Sequence, residues 1–294
     1  MEISMKAYLD IIRPLNCTMA GIGALVGCII VGIPMINYLV LFKIGLAFTV
    51  VFLITGAGNS LNDCYDAEID KINHPDRPIP SGRLKQKNAM NFAIGLFISG
   101  IIISCFLSTG AFLIAVIATL LLGSYEKKLK NKGFTGNIAI SILVAFVFIF
   151  GGGSLSGNVT GVTTMKIFLN EMKIVLVLAG MAFLANLGRE VIKDIEDVEG
   201  DTDRVTLPMR IGVKNAGLVV SGAIILSVII SPIPYLLRTF GSIYLAIIGL
   251  ADAIFIYSII LLDKPGSVSK IIKIGMAVAL IGFIVGGILS ITPP

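Results

Sequence analysis

Asn59-Ser-Leu-Asn62-Asp63-Cys-Tyr-Asp66-Ala-Glu-Ile-Asp70 closes one long apolar run of this chain, and Asp194-Ile-Glu-Asp197-Val-Glu-Gly-Asp201 closes another. If each run continues as a helix, at about 100° per residue, then Asn59, Asn62, Asp63, Asp66 and Asp70 fall on one stripe about 100° wide. Asn186, Glu190, Lys193, Asp194, Asp197 and Asp201 do the same on the second helix. The two D-x-x-D-x-x-x-D triplets start 131 positions apart, at Asp63 and Asp194. Each is followed by an Asp-Arg pair (Asp76-Arg77, Asp203-Arg204), a proline segment and Lys-Asn-Ala (Lys87 to Ala89, Lys214 to Ala216). That is an internal repeat, over 59–89 and 186–216. Two facing carboxylate stripes have an evident physical use: they hold hard divalent cations, which in turn hold a diphosphate.

The solvent around these stripes is a lipid bilayer. Of 294 residues, 56% are hydrophobic and 14% charged, with a mean hydropathy of +0.95. A soluble chain carries about 25% charged residues. Apolar runs of roughly 20 residues read as spanning helices. Nine are expected, near 15–35, 37–59, 88–108, 110–125, 134–155, 172–190, 215–237, 239–262 and 271–291. The runs are continuously apolar rather than alternating, which excludes a β-barrel. Met1 to Asn16 carries charges on a weakly amphipathic pattern with no small-residue cleavage site, so an interfacial helix is expected there, not a cleaved signal. The whole reads as one all-α membrane domain over 1–294.

Basic residues set the expected orientation. With the N-terminus inside, nineteen Lys and Arg fall on the cytoplasmic side, against Lys43, Lys166, Lys173 and Arg238 on the other. Both acidic motifs are then cytoplasmic. The net charge of +5 reflects topology and phosphate binding, and does not indicate nucleic acid. Cys17, Cys28, Cys64 and Cys105 form no C-x-x-C pair, and the lone His74, in a loop stiffened by Pro75, Pro78 and Pro80, cannot build a zinc or haem site. That loop and its counterpart at 200–214 suggest cap loops over a cytoplasm-facing cavity, whereas the Gly/Ser/Thr-rich stretch from Gly151 to Asn170 reads as a flexible outer loop without chemistry.

Ionisable groups flush against a span are costly and usually functional, which favours the carboxylates as ligands. Positive-inside bias alone explains Lys85, Lys87, Lys130 and Lys132. Arg77, Lys128, Arg189 and Lys193 lie within the motif stretches and are the candidate phosphate contacts. Arg13 and Asn16, opening the first span, could hold an acidic headgroup or anchor the helix. Tyr65 and Tyr125 stand beside the acidic stripe, as belt residues or as partners of a diphosphate. Asn186, in an apolar helix, needs a polar partner, and metal or phosphate would serve.

Asn62-Asp63-x-x-Asp66-x-x-x-Asp70 and Asp194-x-x-Asp197-x-x-x-Asp201, on nine expected spans, resemble the UbiA superfamily of intramembrane prenyltransferases over nearly the whole chain. The resemblance implies a helical bundle around a central cavity, two Mg²⁺ ions bridging a polyprenyl diphosphate, and a lateral opening for the lipid chain. It implies Asn62 and Asp66 on one ion and Asp197 and Asp201 on the other, with Asp63, Asp70 and Asp194 as ligands or their supports. Tyr125 and Lys128 match a tyrosine and a basic residue after the fourth span, although the spacing here leaves Lys127, Lys128 and Lys130 all open. Arg13-Pro-Leu-Asn16-Cys-Thr-Met-Ala, His74-Pro-Asp-Arg77-Pro-Ile-Pro-Ser81-Gly, and Pro232-Ile-Pro-Tyr235 with Tyr244 are similar to the branch that acts on archaeal ether lipid. The partners this implies are geranylgeranyl diphosphate as donor and geranylgeranylglyceryl phosphate as acceptor. An aromatic acceptor, as in quinone or haem prenylation, is the nearest rival. A CDP-alcohol phosphotransferase would need a D-G-x-x-A-R start that this chain lacks, and a cation transporter would need an acidic pair at mid-depth, where only Asp252 lies.

Overall fold

The structure, a computed structural model, describes residues 5–32, 37–156, 165–198 and 205–290, with side chains from 172 onward in the third stretch. The described elements are helical: α1 (Met5–Ile12), α2 (Pro14–Gly32), α3 (Tyr38–Tyr65), α4 (Ala67–Asn73), α5 (Gln86–Ser104), α6 (Thr109–Ser124), α7 (Phe134–Leu155), α8 (Met165–Glu196), α9 (Leu207–Ile211), α10 (Val213–Ile230), α11 (Ile233–Leu236), α12 (Ser242–Ile260) and α13 (Pro265–Leu289). A π-helical turn, Tyr125–Leu129, and a 3₁₀ turn, Lys130–Lys132, prolong α6. Among the described residues, nine helices are long and apolar enough to cross a membrane. In lipid a helix satisfies its own backbone groups, which is why each apolar run takes this form. The chain is a multi-pass membrane protein.

The boundaries differ from the sequence expectation in instructive ways. α7 runs to Leu155 and α8 starts at Met165, so the expected outer loop from Gly151 to Asn170 is helical at both ends. Its middle lies outside the described residues. The helix of the first motif does not continue to Asp70: α3 stops at Tyr65, Asp66 takes φ −89° and ψ 6°, and Asp70 belongs to the short α4. α8 ends at Glu196, so Asp197 is just past its last turn. Asp201, Asp203 and Arg204 lie outside the described residues.

Among the described residues, two large apolar cores fill the bundle, and a smaller one beside α1 gathers Ile11, Ile12, Cys64 and Leu84. One large core gathers Val50, Ile54, Phe97 and Phe150 of the N-terminal half; the other gathers Val175, Leu178, Ile224, Phe255 and Phe283 of the C-terminal half. α7 serves both large cores, through Phe150 and Phe148 respectively. α2 and α7 cross at backbone contact: a Cβ on Gly27 would stand 2.2 Å from the Phe148 carbonyl oxygen, and one on Gly151 would stand 2.0 Å from that of Ala24. Small residues at such crossings let membrane helices gain dispersion energy where no hydrophobic effect is available. The crossing locks the seam on which both acidic helices are hung.

Candidate active site

The break between α1 and α2 is where the site begins. Arg13 adopts φ +53°, costly for a side chain other than glycine, immediately before Pro14. The break frees the Ile12 carbonyl, which accepts from the Asn59 amide at 2.7 Å and from the Cys17 thiol at 3.0 Å. One turn further along α3, Asp63 pairs with the Arg13 guanidinium. Asn59 and Asp63 therefore grip the break from one face of α3. Gln86, opening α5, donates 2.8 Å to the Cys64 carbonyl and so satisfies part of the end of α3.

The acidic stripe splits at this point. Asn62 and Asp66 are turned toward the π-helical turn after α6. The Asn62 amide nitrogen donates 3.0 Å to Asp66 Oδ2 and 3.0 Å to Glu126 Oε2. Lys130 Nζ pairs with Asp66 and stands 3.7 Å from Glu126 Oε2. Asp70 is taken by Arg77, whose Nη1 is 2.6 Å from Asp70 Oδ2 and 3.6 Å from Asp63 Oδ1. The loop carrying Arg77 is tied back to α1 by Arg83 on Asp10 at 2.5 Å. Among the described residues, no three acidic, histidine or cysteine side chains converge into a ready-made metal cage.

The second motif is held by α7. Asp194, buried, accepts 2.7 Å from the Asn137 amide, and the Asn186 amide donates 3.2 Å to Ser141, one helical turn along from Asn137. Arg189 and Lys193 pair with Glu190 on their own helix at 3.1 and 2.7 Å, and Arg189 keeps a buried Nε without an acceptor among the described residues. Asp197 is exposed at the helix end. The turn leading into α7 touches the loop that follows: Gly133, at φ +56°, admits the Val205 carbonyl oxygen to within 2.4 Å of where a Cβ would stand.

Several of the expected site side chains meet partners within the protein. Lys128 is exposed; Lys130, set aside as a topology residue, is the lysine on Asp66. Arg77 and Arg13 pair with Asp70 and Asp63. Asn186 meets Ser141, and Asn16 is exposed. Tyr125 opens the π-helical turn beside Glu126. Glu126 itself was missed. Its signal was available: an acid at the end of a span, with a lysine four residues on.

Residues 20–289 match the UbiA prenyltransferase family. The chain belongs to it. A digeranylgeranylglyceryl phosphate synthase from Methanococcus aeolicus is 40% identical to this UbiA chain, over 98% of it and 100% of the relative. A solved structure described as digeranylgeranylglyceryl phosphate synthase in membranes is 38% identical, superposes with a TM-score of 0.81, and covers 98% of this chain and 100% of its own. A UbiA homolog from Archaeoglobus fulgidus, solved bound to DMAPP and Mg²⁺, shares the fold at a TM-score of 0.66 and 16% identity, covering 92% and 98% of the two chains. Helices α2 to α13 thus follow the UbiA fold.

Proposed function

We propose that this protein transfers a geranylgeranyl group from geranylgeranyl diphosphate to the free hydroxyl of geranylgeranylglyceryl phosphate, forming the second ether bond of the archaeal lipid core. The observation that carries the reading is near-end-to-end similarity, 40% over 98% of the chain, to a synthase of that name, in a chain whose acidic motifs gather at one end of the bundle. In the reaction the allylic C–O bond to the diphosphate breaks, and the diphosphate leaves with the electron pair. The acceptor oxygen bonds to the allylic carbon and loses its proton, which the departing diphosphate takes.

The donor set suits Mg²⁺. Asn62 and Asp66 offer hard oxygens, and the Lys130 ammonium already lies between the carboxylates of Asp66 and Glu126, where positive charge is favoured. Mg²⁺ is commonly held by one or two carboxylates, water and substrate phosphate, so the absence of a full protein cage among the described residues suits it. Asn62 and Asp66 would hold one ion; Asp197 and Asp201 would hold a second, with Asp63, Asp70 and Asp194 supporting them. When bound, Mg²⁺ stabilises the negative charge that develops on the leaving diphosphate. Lys130, Arg189 with its spare Nε, and Lys193 would hold the phosphate oxygens; Arg13 would orient the acceptor phosphate.

The bias of nineteen basic residues to four supports a cytoplasmic site with a cytoplasmic N-terminus. The matched motifs closing α3 and α8, each half with its own core, support an internal repeat within one domain. The test of function uses the purified chain in liposomes, with labelled geranylgeranyl diphosphate and two acceptors. Transfer to geranylgeranylglyceryl phosphate that stops in EDTA is expected. Efficient prenylation of 4-hydroxybenzoate with the glycerol phosphate ignored would overturn the acceptor. In a cysteine-free background, a cysteine at position 212 should label only from the cytoplasmic side and one at 158 only from outside.

A further inference from the structure

Glu126 lies in neither acidic motif, yet its side chain is only 5% exposed, on a membrane-spanning segment. A buried carboxylate there is costly unless it is paired and hydrogen-bonded. Its partners are the Asn62 amide nitrogen at 3.0 Å and the Lys130 ammonium at 3.7 Å. The same amide nitrogen donates to Asp66 Oδ2, also at 3.0 Å. Both neighbours, when ionised, only accept. The amide must therefore present its NH₂ to them, which turns its carbonyl oxygen away from both. The π-helical turn Tyr125–Leu129 makes the encounter, bringing Glu126 and Lys130 together against α3. Such turns inside α-helices recur at functional positions.

We propose that Glu126 is the positioning residue of the first acidic motif: with Asp66 it locks the Asn62 amide so that the carbonyl oxygen is the atom offered to an incoming divalent cation, and it keeps Lys130 beside Asp66 until that cation arrives. The proposal rests on the prenyltransferase reading of this site. Its electrostatic consequence is direct. Asp66 and Glu126 against Lys130 leave a net negative charge beside Asn62, whereas a neutral residue at 126 leaves none. The second motif is met from the next helix, by Asn137 on Asp194.

The experiment compares wild type, Glu126→Gln, Asn62→Ala and the double variant, each as the full chain in liposomes. Mn²⁺ binding is titrated by electron paramagnetic resonance without substrate, and initial rates are measured against Mg²⁺ at saturating donor and acceptor. Residues that orient metal ligands commonly change affinity by about tenfold or more. Glu126→Gln should therefore weaken Mn²⁺ binding about tenfold and raise half-activating Mg²⁺ to match. At saturating Mg²⁺ its kcat should stay within about threefold of wild type. If Glu126 acts through Asn62, the double variant should bind little worse than Asn62→Ala alone. Unchanged Mn²⁺ binding in Glu126→Gln, or fully multiplicative effects in the double variant, overturns the proposal. Glu126→Asp keeps the charge but withdraws the oxygen from Asn62; it should show the same weakening at an unchanged melting temperature, and wild-type binding by it overturns the role equally. Failure of wild type to transfer a prenyl group would sink the functional reading while leaving the Mn²⁺ arm readable.

Discussion

The two acidic motifs share a spacing and close equivalent spans at one end of the bundle, yet different chemistry surrounds them. Around the first, cations arrive from three separate elements: Arg13 from the α1–α2 break on Asp63, Lys130 from the turn after α6 on Asp66, and Arg77 from the loop on Asp70. Around the second, Arg189 and Lys193 pair with Glu190 on their own helix, and a neutral amide, Asn137, supports Asp194. Among the described residues, the first motif is held by long-range ion pairs, and the second rests against α7 through Asn137. Among the described residues, the same sequence pattern meets different supports at its two copies. What differs is which neighbour each turn of helix meets.

The largest expected effect tests whether the Asn62–Asp66 pair carries the chemistry. Asp66→Asn should leave the protein folded and lower turnover about 10²-fold or more, the loss expected for a holder of transition-state charge. Steady-state kinetics on a monodisperse variant decide it. Near-normal turnover would mean that the first motif serves the fold alone.

A second test addresses stability, where the motifs should part. Asp63 and Asp70 have side chains only 2% and 5% exposed, and Arg77 serves both. Arg77→Ala strands the buried Asp70 carboxylate, while Asp63 keeps Arg13, and removing one partner of a buried pair costs about 3 kcal/mol. Asn137→Ala removes one amide donor from Asp194, worth about 2 kcal/mol for a hydrogen bond to a charged group. Thermal unfolding of both variants should show the larger drop for Arg77→Ala. The reverse order would mean that the seam between α7 and α8, not the ion-pair network, holds the site together.

The spans were legible because an apolar run of about 20 residues has one good solution in lipid. The place of the acids was legible because each cluster closes a long apolar run. The stripe was only half legible. A helical wheel places Asn59, Asn62, Asp63 and Asp66 within one sector, but it cannot say that two different elements divide that sector between them. Asn59 and Asp63 go to the α1–α2 break, and Asn62 and Asp66 to the π-helical turn. The end of α3 at Tyr65 was hidden too, since Asp66 to Asp70 contains no helix breaker.

The choice among lysines gives the smallest and most specific test. Along the chain, Lys128 is a candidate phosphate contact, while its spacing from Tyr125 leaves Lys127 and Lys130 open as well. In an ordinary α-helix, positions three and four apart share a face, so position 128 would accompany Tyr125. The π-helical turn changes that geometry: Lys128 is exposed, and Lys130 reaches across to Asp66 on α3. A lysine held by Asp66 would be released if a divalent cation took that carboxylate, and would then be free to meet a diphosphate. Lys130→Ala should therefore raise the KM for geranylgeranyl diphosphate about tenfold, the equivalent of about 1.4 kcal/mol. Lys128→Ala should change it less than about twofold, as expected for a solvated surface charge. Varying each substrate in turn separates the outcomes, because acceptor KM should move little in either variant. If Lys128→Ala proves the more damaging substitution, the turn must rewind to an α-helix when substrate binds, and the pairing of Lys130 with Asp66 would belong to the resting state alone.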